Sequence, residues 1–245
     1  MMILPVILAR NDSLRLPGKV SRPILGGKSI IEILHEQIAL ISTQLGNDVL
    51  TDPVIATTQR SCDNPIRELA KHLGVSVHSG HIMPLCRIKE IISDRADLWV
   101  WRINADSPLL LSNLIDEASA HIRNESEGKL KVITNLSPRS FPYGISLEMY
   151  FSNFINGLDL ERLGSNIVEH ITPVQGLIDE QFILNVTNHR DLNNSFDSSV
   201  RLTIDHEDDV RFFSGLWGDD DFLKLNSAGY DRVDYAYNKR MSYES

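Results

Sequence analysis

Ile3-Leu4-Pro5-Val6-Ile7-Leu8-Ala9-Arg10-Asn11-Asp12-Ser13-Leu14-Arg15-Leu16-Pro17-Gly18-Lys19 is the stretch on which the fold turns. It opens with an unbroken apolar run, Ile3 to Leu8, the pattern of a strand buried on both faces. A polar loop follows, carrying the cations Arg10, Arg15 and Lys19, and a Gly26-Gly27 turn leads on to an amphipathic helix. The loop past the end of a strand in an open α/β sheet is where such sheets bind ligands. Arg10, Arg15 and Lys19 can converge there on a polyphosphate, and Gly18 lets the backbone come close to it. The plainer alternative is a solvated basic loop.

Working outward, strand and helix patterns alternate. Ser29-Ile30-Ile31-Glu32 is a capping box, and Ile30, Ile33, Leu34, Ile38, Ile41 and Leu45 follow at helical spacing. Pro53 to Thr58 reads as a second strand. Asp63-Asn64-Pro65 opens a helix through Ile66, Leu69, Ala70 and Leu73, which Gly74 stops. Val75 to Val77 reads as a short strand, a helix through Leu85, Ile88, Ile91 and Ile92 comes next, and Leu98 to Ile103 is a fourth strand. Ser112 is set to cap a helix through Leu114, Ile115, Ala118 and Ile122, with a strand from Lys131 to Thr134 behind it. This alternation predicts an α/β fold whose sheet is mixed and mostly parallel, with helices on both faces.

The second half is less regular. Strands are expected at Ile145 to Tyr150, Phe182 to Val186 and Val200 to Ile204, and a short helix at Ser152 to Leu160. A helical face through Ile167, Val168, Ile171, Val174 and Ile178 is interrupted by Pro173. Asp205 or His206 is placed to cap a last helix through Val210, Phe213 and Leu216-Trp217. From about residue 218 the chain turns acidic, then Tyr-rich, and reads as a loosely packed tail.

Composition bounds the partners. A length of 245 residues fits one domain, and 42% hydrophobic with 23% charged residues is ordinary for a soluble globule. A net charge of −9 argues against a general nucleic-acid binder without forbidding a local basic pocket. Cys62 and Cys86 alone make no disulfide framework, which suits a reducing cytoplasm. The apolar opening is too short for a signal peptide, and no run approaches the ~20 residues that span a bilayer.

Several chemistries lack their motif. Gly27-Lys28-Ser29 suggests a phosphate-binding P-loop, but Arg22 stands where its first glycine belongs. No His/Cys spacing suits zinc, and no Gly-x-Ser-x-Gly elbow offers a nucleophile. Asp106, in Asn104-Ala105-Asp106-Ser107-Pro108, and Asp205 each follow a predicted strand. Each is either a turn or cap residue or a strand-end carboxylate suited to Mg²⁺ near phosphates. Glu207, Asp208 and Asp209 fit the first turn of a helix, where acids complement its dipole.

Taken in order, these residues carry a family likeness. Ala9 to Lys19 resembles the A-R-x-x-S-x-R-L-P-G-K loop of the cytidylyltransferases that activate acidic sugars, a group including the 3-deoxy-manno-octulosonate, acylneuraminate and spore-coat polysaccharide (SpsF-like) enzymes. Gly26-Gly27-Lys28, Ala56-Thr57-Thr58 with Asn64-Pro65-Ile66, Arg102-Ile103-Asn104-Ala105-Asp106-Ser107-Pro108, Glu169-His170-Ile171-Thr172-Pro173 and Leu202-Thr203-Ile204-Asp205 resemble its later elements. The resemblance implies a Rossmann-like nucleotide-diphospho-sugar transferase fold and transfer of CMP from CTP to a sugar, in surface polysaccharide or glycan synthesis. It implies a nucleotide site at Ala9, Arg10, Ser13, Arg15, Gly18 and Lys19, with Mg²⁺ held by Asp106 and Asp205. Lys19, Arg10, Asp106 and Asp205 would be the catalytic set. It also implies a homodimer formed through an irregular dimerisation and acceptor subregion at about 135–200.

Where the spore-coat branch carries two aspartates in Y-P-D-G-x-D-V-E, this chain has Tyr143 and Ser146. The stretch after Gly80, acidic with a D-V-L-x-R pattern in the family, is His81-Ile82-Met83-Pro84-Leu85-Cys86-Arg87 here. Both departures would face the acceptor, and they motivate an alternative: a catalytically silent nucleotide-binding partner of a glycan-pathway enzyme. The expected chemistry is in-line attack of an acceptor oxygen on the α-phosphorus. No residue is required as general base; His170 is one candidate, with a packed or capping histidine as its alternative.

Overall fold

The computed structural model describes residues 2–125, 128–186 and 196–243. The opening apolar run forms β1 (Ile3–Leu8), buried along its whole length. The capping box sets the start of α1 (Ile30–Leu45), with Ser29 accepting the Glu32 N–H and Glu32 reaching back to Ser29. Then come β2 (Val54–Thr58), α2 (Asn64–Leu73), β3 (Ser76–Gly80), α3 (Pro84–Ile91), β4 (Trp99–Asn104) and α4 (Ser112–Asn124). Gly74 ends α2 in the left-handed conformation expected of it. The second half adds β5 (Val132–Thr134), β6 (Glu148–Phe151), α5 (Ser152–Asn156), α6 (Ser165–His170), β7 (Ile183–Asn185), α7 (Glu207–Leu216), α8 (Asp220–Lys224) and α9 (Tyr230–Tyr243).

The strands form one sheet in the order β3-β2-β1-β4-β6-β5-β7. The pairs from β3 through β4 are parallel, β6 runs antiparallel to both β4 and β5, and β5 pairs β7 in parallel. The expected mixed, mostly parallel α/β sheet is therefore present. Alternation along β1 sends Ile3 and Ile7 to one face, against Ile31 and Leu34 of α1 and Ile115 of α4. Leu4, Val6 and Leu8 go to the other, against Leu85 and Ile88 of α3 and Ile155 of α5. Each such fully buried aliphatic side chain contributes roughly 1.5–3 kcal/mol. Among the described residues no helix is long and apolar enough to cross a membrane.

Four expectations need correction. Val200 to Ile204 is not a strand: only Arg201 bridges to Tyr143. Its N–H groups are spent on the Tyr143 carbonyl (from Leu202) and the Asp106 carbonyl (from Ile204), so the segment crosses the strand ends and joins no sheet edge. Ser112 does not cap α4; it is the first helical residue, and its N–H donates to the Ala228 carbonyl at 2.8 Å. The α7 helix is not the last. The stretch from 218, expected as a loose tail, folds into α8 and α9 and buries Phe222, Val233 and Ala236.

Candidate active site

Because β1 and β4 are parallel neighbours with Leu8 opposite Asn104, the loops that follow them lie side by side. The chain leaves β1 toward β2 on one side and reaches β4 on the other, which makes the gap between them a topological switch point. The loop after β1 is tied down by Asn11. Its N–H donates to Asp63 Oδ1 at 2.7 Å, its Nδ2 to the Cys62 carbonyl at 3.2 Å, and its Oδ1 accepts from Ser21 Oγ at 3.0 Å. The Asn11 carbonyl receives the Gly18 N–H at 3.0 Å, where Gly18 turns at φ +73°. Asp63 is buried and also accepts from Thr58 Oγ1, so the loop is fixed to the end of β2.

From this fixed loop Lys19 reaches across the sheet. Its Nζ donates to the Ile204 carbonyl at 2.7 Å, to Asp205 Oδ1 at 2.9 Å and to Asp106 Oδ2 at 3.4 Å. Arg15 meets the same Asp205 oxygen at 3.3 Å and lies 3.3 Å from His206 Nε2. Arg10 does not touch either carboxylate. It turns to Asp12 at 3.5 Å and toward the Ile82 carbonyl. All three cations, Ser13, Asp106 and Asp205 line one cavity of about 740 Å³, within the usual range of ligand sites. Ser13 Oγ accepts the Leu16 N–H. Ala9 is buried just past the end of β1, its N–H on the Ala56 carbonyl.

Burial alone would push the Asp205 carboxyl up. The Lys19 hydrogen bond and charge, with Thr203 and Arg15, outweigh burial and hold it below its usual value. Its orientation comes from Asp209, which is buried and accepts the N–H groups of Asp205 and His206, each at 2.9 Å. Arg201 and, from α9, Arg240 pair with Asp209 at 3.1 and 2.9 Å. Burial again opposes ionisation of Asp209, and these N–H groups and arginines overcome it. The Asp209 position matches first-turn placement; its role as a hub is new.

The far end of the cavity is built from arginines. Arg102 pairs with buried Glu148, which also accepts from Tyr150 Oη at 2.6 Å and Thr172 Oγ1 at 2.7 Å. Burial, then the charge of Glu148, pushes the Tyr150 phenol well up, so it serves as a donor. Arg87 is buried and gives its guanidinium to the carbonyls of His81 and Ile82, each at 3.0 Å. Desolvation, then the nearby charge of Arg10, lowers it to about 10. Arg139 donates to Ser146 Oγ at 3.3 Å and lies over the Tyr143 ring at 4.9 Å. His170 sits exposed on the cavity rim.

Asp63, Arg139, Arg201 and Arg240 lie outside the site expected from the sequence, where Asp209 marks only the first turn of a helix. Their function comes from long-range contacts that no local pattern marks. Asp63 alone had a signal, a helix-start Asp following Thr58 by five residues. Among the described residues no group of three or more Asp, Glu, His or Cys could hold a metal ion. The donor set is nevertheless suited to Mg²⁺. Two carboxylates already share one cation at Lys19, and Mg²⁺ ordinarily takes one or two carboxylates, completing its shell with waters and substrate phosphates.

A family model described as cytidylyltransferase matches residues 4–159. Uncharacterized protein MJ1063 of Methanocaldococcus jannaschii is 29% identical over 174 residues, covering 71% of this chain and 66% of that relative, slightly under two thirds of its length. A solved cytidylyltransferase from Leptospira borgpetersenii superposes with a TM-score of 0.78 at 26% identity, covering 99% of this chain and 96% of the other. A CMP:2-keto-3-deoxy-manno-octonic acid synthetase complexed with CTP shares the fold, with a TM-score of 0.60 at 15% identity over 92% of this chain and 100% of its own.

Proposed function

We propose, from the premise that this chain belongs to the cytidylyltransferase family, that it transfers CMP from CTP to an acidic sugar and releases pyrophosphate. The observation that carries this reading is Lys19, whose ammonium joins Asp106, Asp205 and the Ile204 carbonyl on the wall of the large cavity. An acceptor hydroxyl oxygen bonds to the α-phosphorus while the bond to the pyrophosphate oxygen breaks, and the hydroxyl proton passes to solvent or to His170. Lys19 and Arg15 hold the triphosphate from the Asp205 side and Arg10 from the other. Because Asn11 and Asp63 fix the loop before substrate arrives, this charge is pre-organised and costs little reorganisation during reaction. Mg²⁺ held by Asp106 and Asp205 would offset charge growing on the phosphoryl oxygens.

An acidic acceptor is favoured by Arg139. With Ser146 and Tyr143 beside it, it pairs with no carboxylate among the described residues, and its charge is left for a ligand. A reducing cytoplasm agrees with the free Cys62 and Cys86, and the role in surface-glycan synthesis is taken from the family resemblance. The test is pyrophosphate release with each nucleoside triphosphate, Mg²⁺ and a panel of 2-keto-3-deoxy and nonulosonic acids. CTP together with one acid is expected to give turnover. Turnover with neutral sugars only, or with no sugar at all, contradicts the acidic acceptor. Binding of CTP without turnover on any acceptor favours the silent partner.

A further inference from the structure

Away from the large cavity, and sharing no lining residue with it, a second cavity of about 240 Å³ opens between the Leu25 turn, α1 and the C-terminal helices. Its distinguishing residue is Arg232 of α9, only 6% exposed. The Arg232 guanidinium lies 4.1 Å from the Phe222 ring centre and 5.2 Å from that of Trp217. Its Nε is buried without a hydrogen-bond partner, and no ion pair reaches it among the described residues. Its neighbour in the same helix, Arg240, is also buried but has Asp209 as counter-charge. A buried cation is normally paired, because leaving water without a counter-ion is costly. The aromatic faces offset part of that cost and leave the in-plane N–H groups free.

We propose that this cavity is a binding site for a small carboxylate with an apolar or ring-shaped body, its carboxylate on Arg232. The walls argue for that chemistry. Leu25, Ile33 and Trp217 supply apolar surface, and Ser227 a hydroxyl. At the rim Lys28 is already paired with Glu36, so Arg232 is the one uncompensated charge inside. A phosphate dianion would surrender more hydration than one guanidinium in such walls returns, whereas a monoanion with an apolar body matches both features. Desolvation lowers Arg232 only to about 10, so the cation persists at neutral pH.

Benzoate is the probe, with acetate, inorganic phosphate and neutral benzamide as the comparison arms, followed by the fluorescence of Trp217 and by melting temperature. Benzoate is expected to give a saturable Trp217 signal and to raise the melting temperature. Acetate and phosphate should give less, and benzamide should bind at least about tenfold more weakly, since it keeps the shape and loses the charge. Trp217→Phe assigns the signal. Arg232→Met should melt at or above the wild-type temperature without ligand, because an unpaired buried cation is gone, and should lose the benzoate response. Ser227→Phe, which fills the cavity from its edge, should lose it as well and serves if Arg232→Met does not fold. Equal binding of benzoate and benzamide, a benzoate response that survives either variant, or no Trp217 response at tens of millimolar benzoate overturns the proposal, and phosphate binding more tightly than benzoate overturns the assigned ligand class.

Discussion

Asp209 shows how a single side chain can organise a site it does not line. It receives two backbone N–H groups at the start of α7 and two arginines, one of them from α9. Replacing it with alanine removes the carboxylate from buried Arg240 and leaves half-buried Arg201 only its 3.5 Å contact with Asp205, and losing one partner of a buried pair costs about 3–5 kcal/mol at neutral pH. The pH sign follows from its depressed carboxyl. A group ionised more readily in the folded state stabilises above its unfolded value of about 3.9, and that contribution is lost as pH falls through the lower folded value. Melting temperatures of wild type and Asp209→Ala should therefore differ most at pH 6–7 and converge toward pH 3. A gap independent of pH would show that the loss is packing and not charge.

Residue chemistry was only partly legible in the sequence. Lys19, Asp106 and Asp205 stand out because each follows a strand or strand-like run and bears a charge. Asp209 looked like a helix-start acid and is one, but its arginine partners lie 8 positions before it and 31 after it, beyond any local pattern.

At the scale of elements, what could be read were the local signals. β1, the capping box of α1 and the Pro and Gly punctuation of α2 occur where the residues indicate. Ser29→Ala should cost about 1 kcal/mol, measured by denaturant unfolding, because it leaves the Glu32 N–H without its cap. The Val200 to Ile204 segment misled because a strand pattern says nothing about its partner. Gly144 decides that partner. It sits at φ +107°, and an added Cβ would lie 2.5 Å from the Leu202 carbonyl oxygen. Gly144→Ala should break the contact between Tyr143 and Leu202, displace Asp205 and lower turnover while most of the stability remains. Wild-type turnover in this variant would show that Asp205 keeps its place without the contact between Tyr143 and Leu202. α9 was illegible for a related reason: its buried face is Arg232, Val233, Ala236 and Arg240, and two arginines covering aromatic rings do not look like a core in sequence.

For the whole molecule, strand order places the machinery. The parallel pair of β1 and β4 sets Lys19 and Asp106 on neighbouring loops, and the crossing segment from Val200 brings Asp205 to both. The expectation of a homodimer through residues 135–200 is tested by sedimentation equilibrium, which should give twice the chain mass of 27.7 kDa. A monomer at micromolar concentration would refute it. α9 links the end of the described chain to the site through Arg240 and Asp209, so Arg240→Met should lower both melting temperature and turnover, the latter through the Asp205 backbone.

The most direct test of the central claim is the rate of pyrophosphate release from CTP, on the acid that supports turnover, by wild type, Asp106→Asn and Asp205→Asn. Each variant should keep its fold by circular dichroism and lose at least about 100-fold in rate, the scale expected when transition-state charge loses a pre-organised partner. Turnover within a few-fold of wild type in either variant would contradict a site in which both carboxylates serve one reaction.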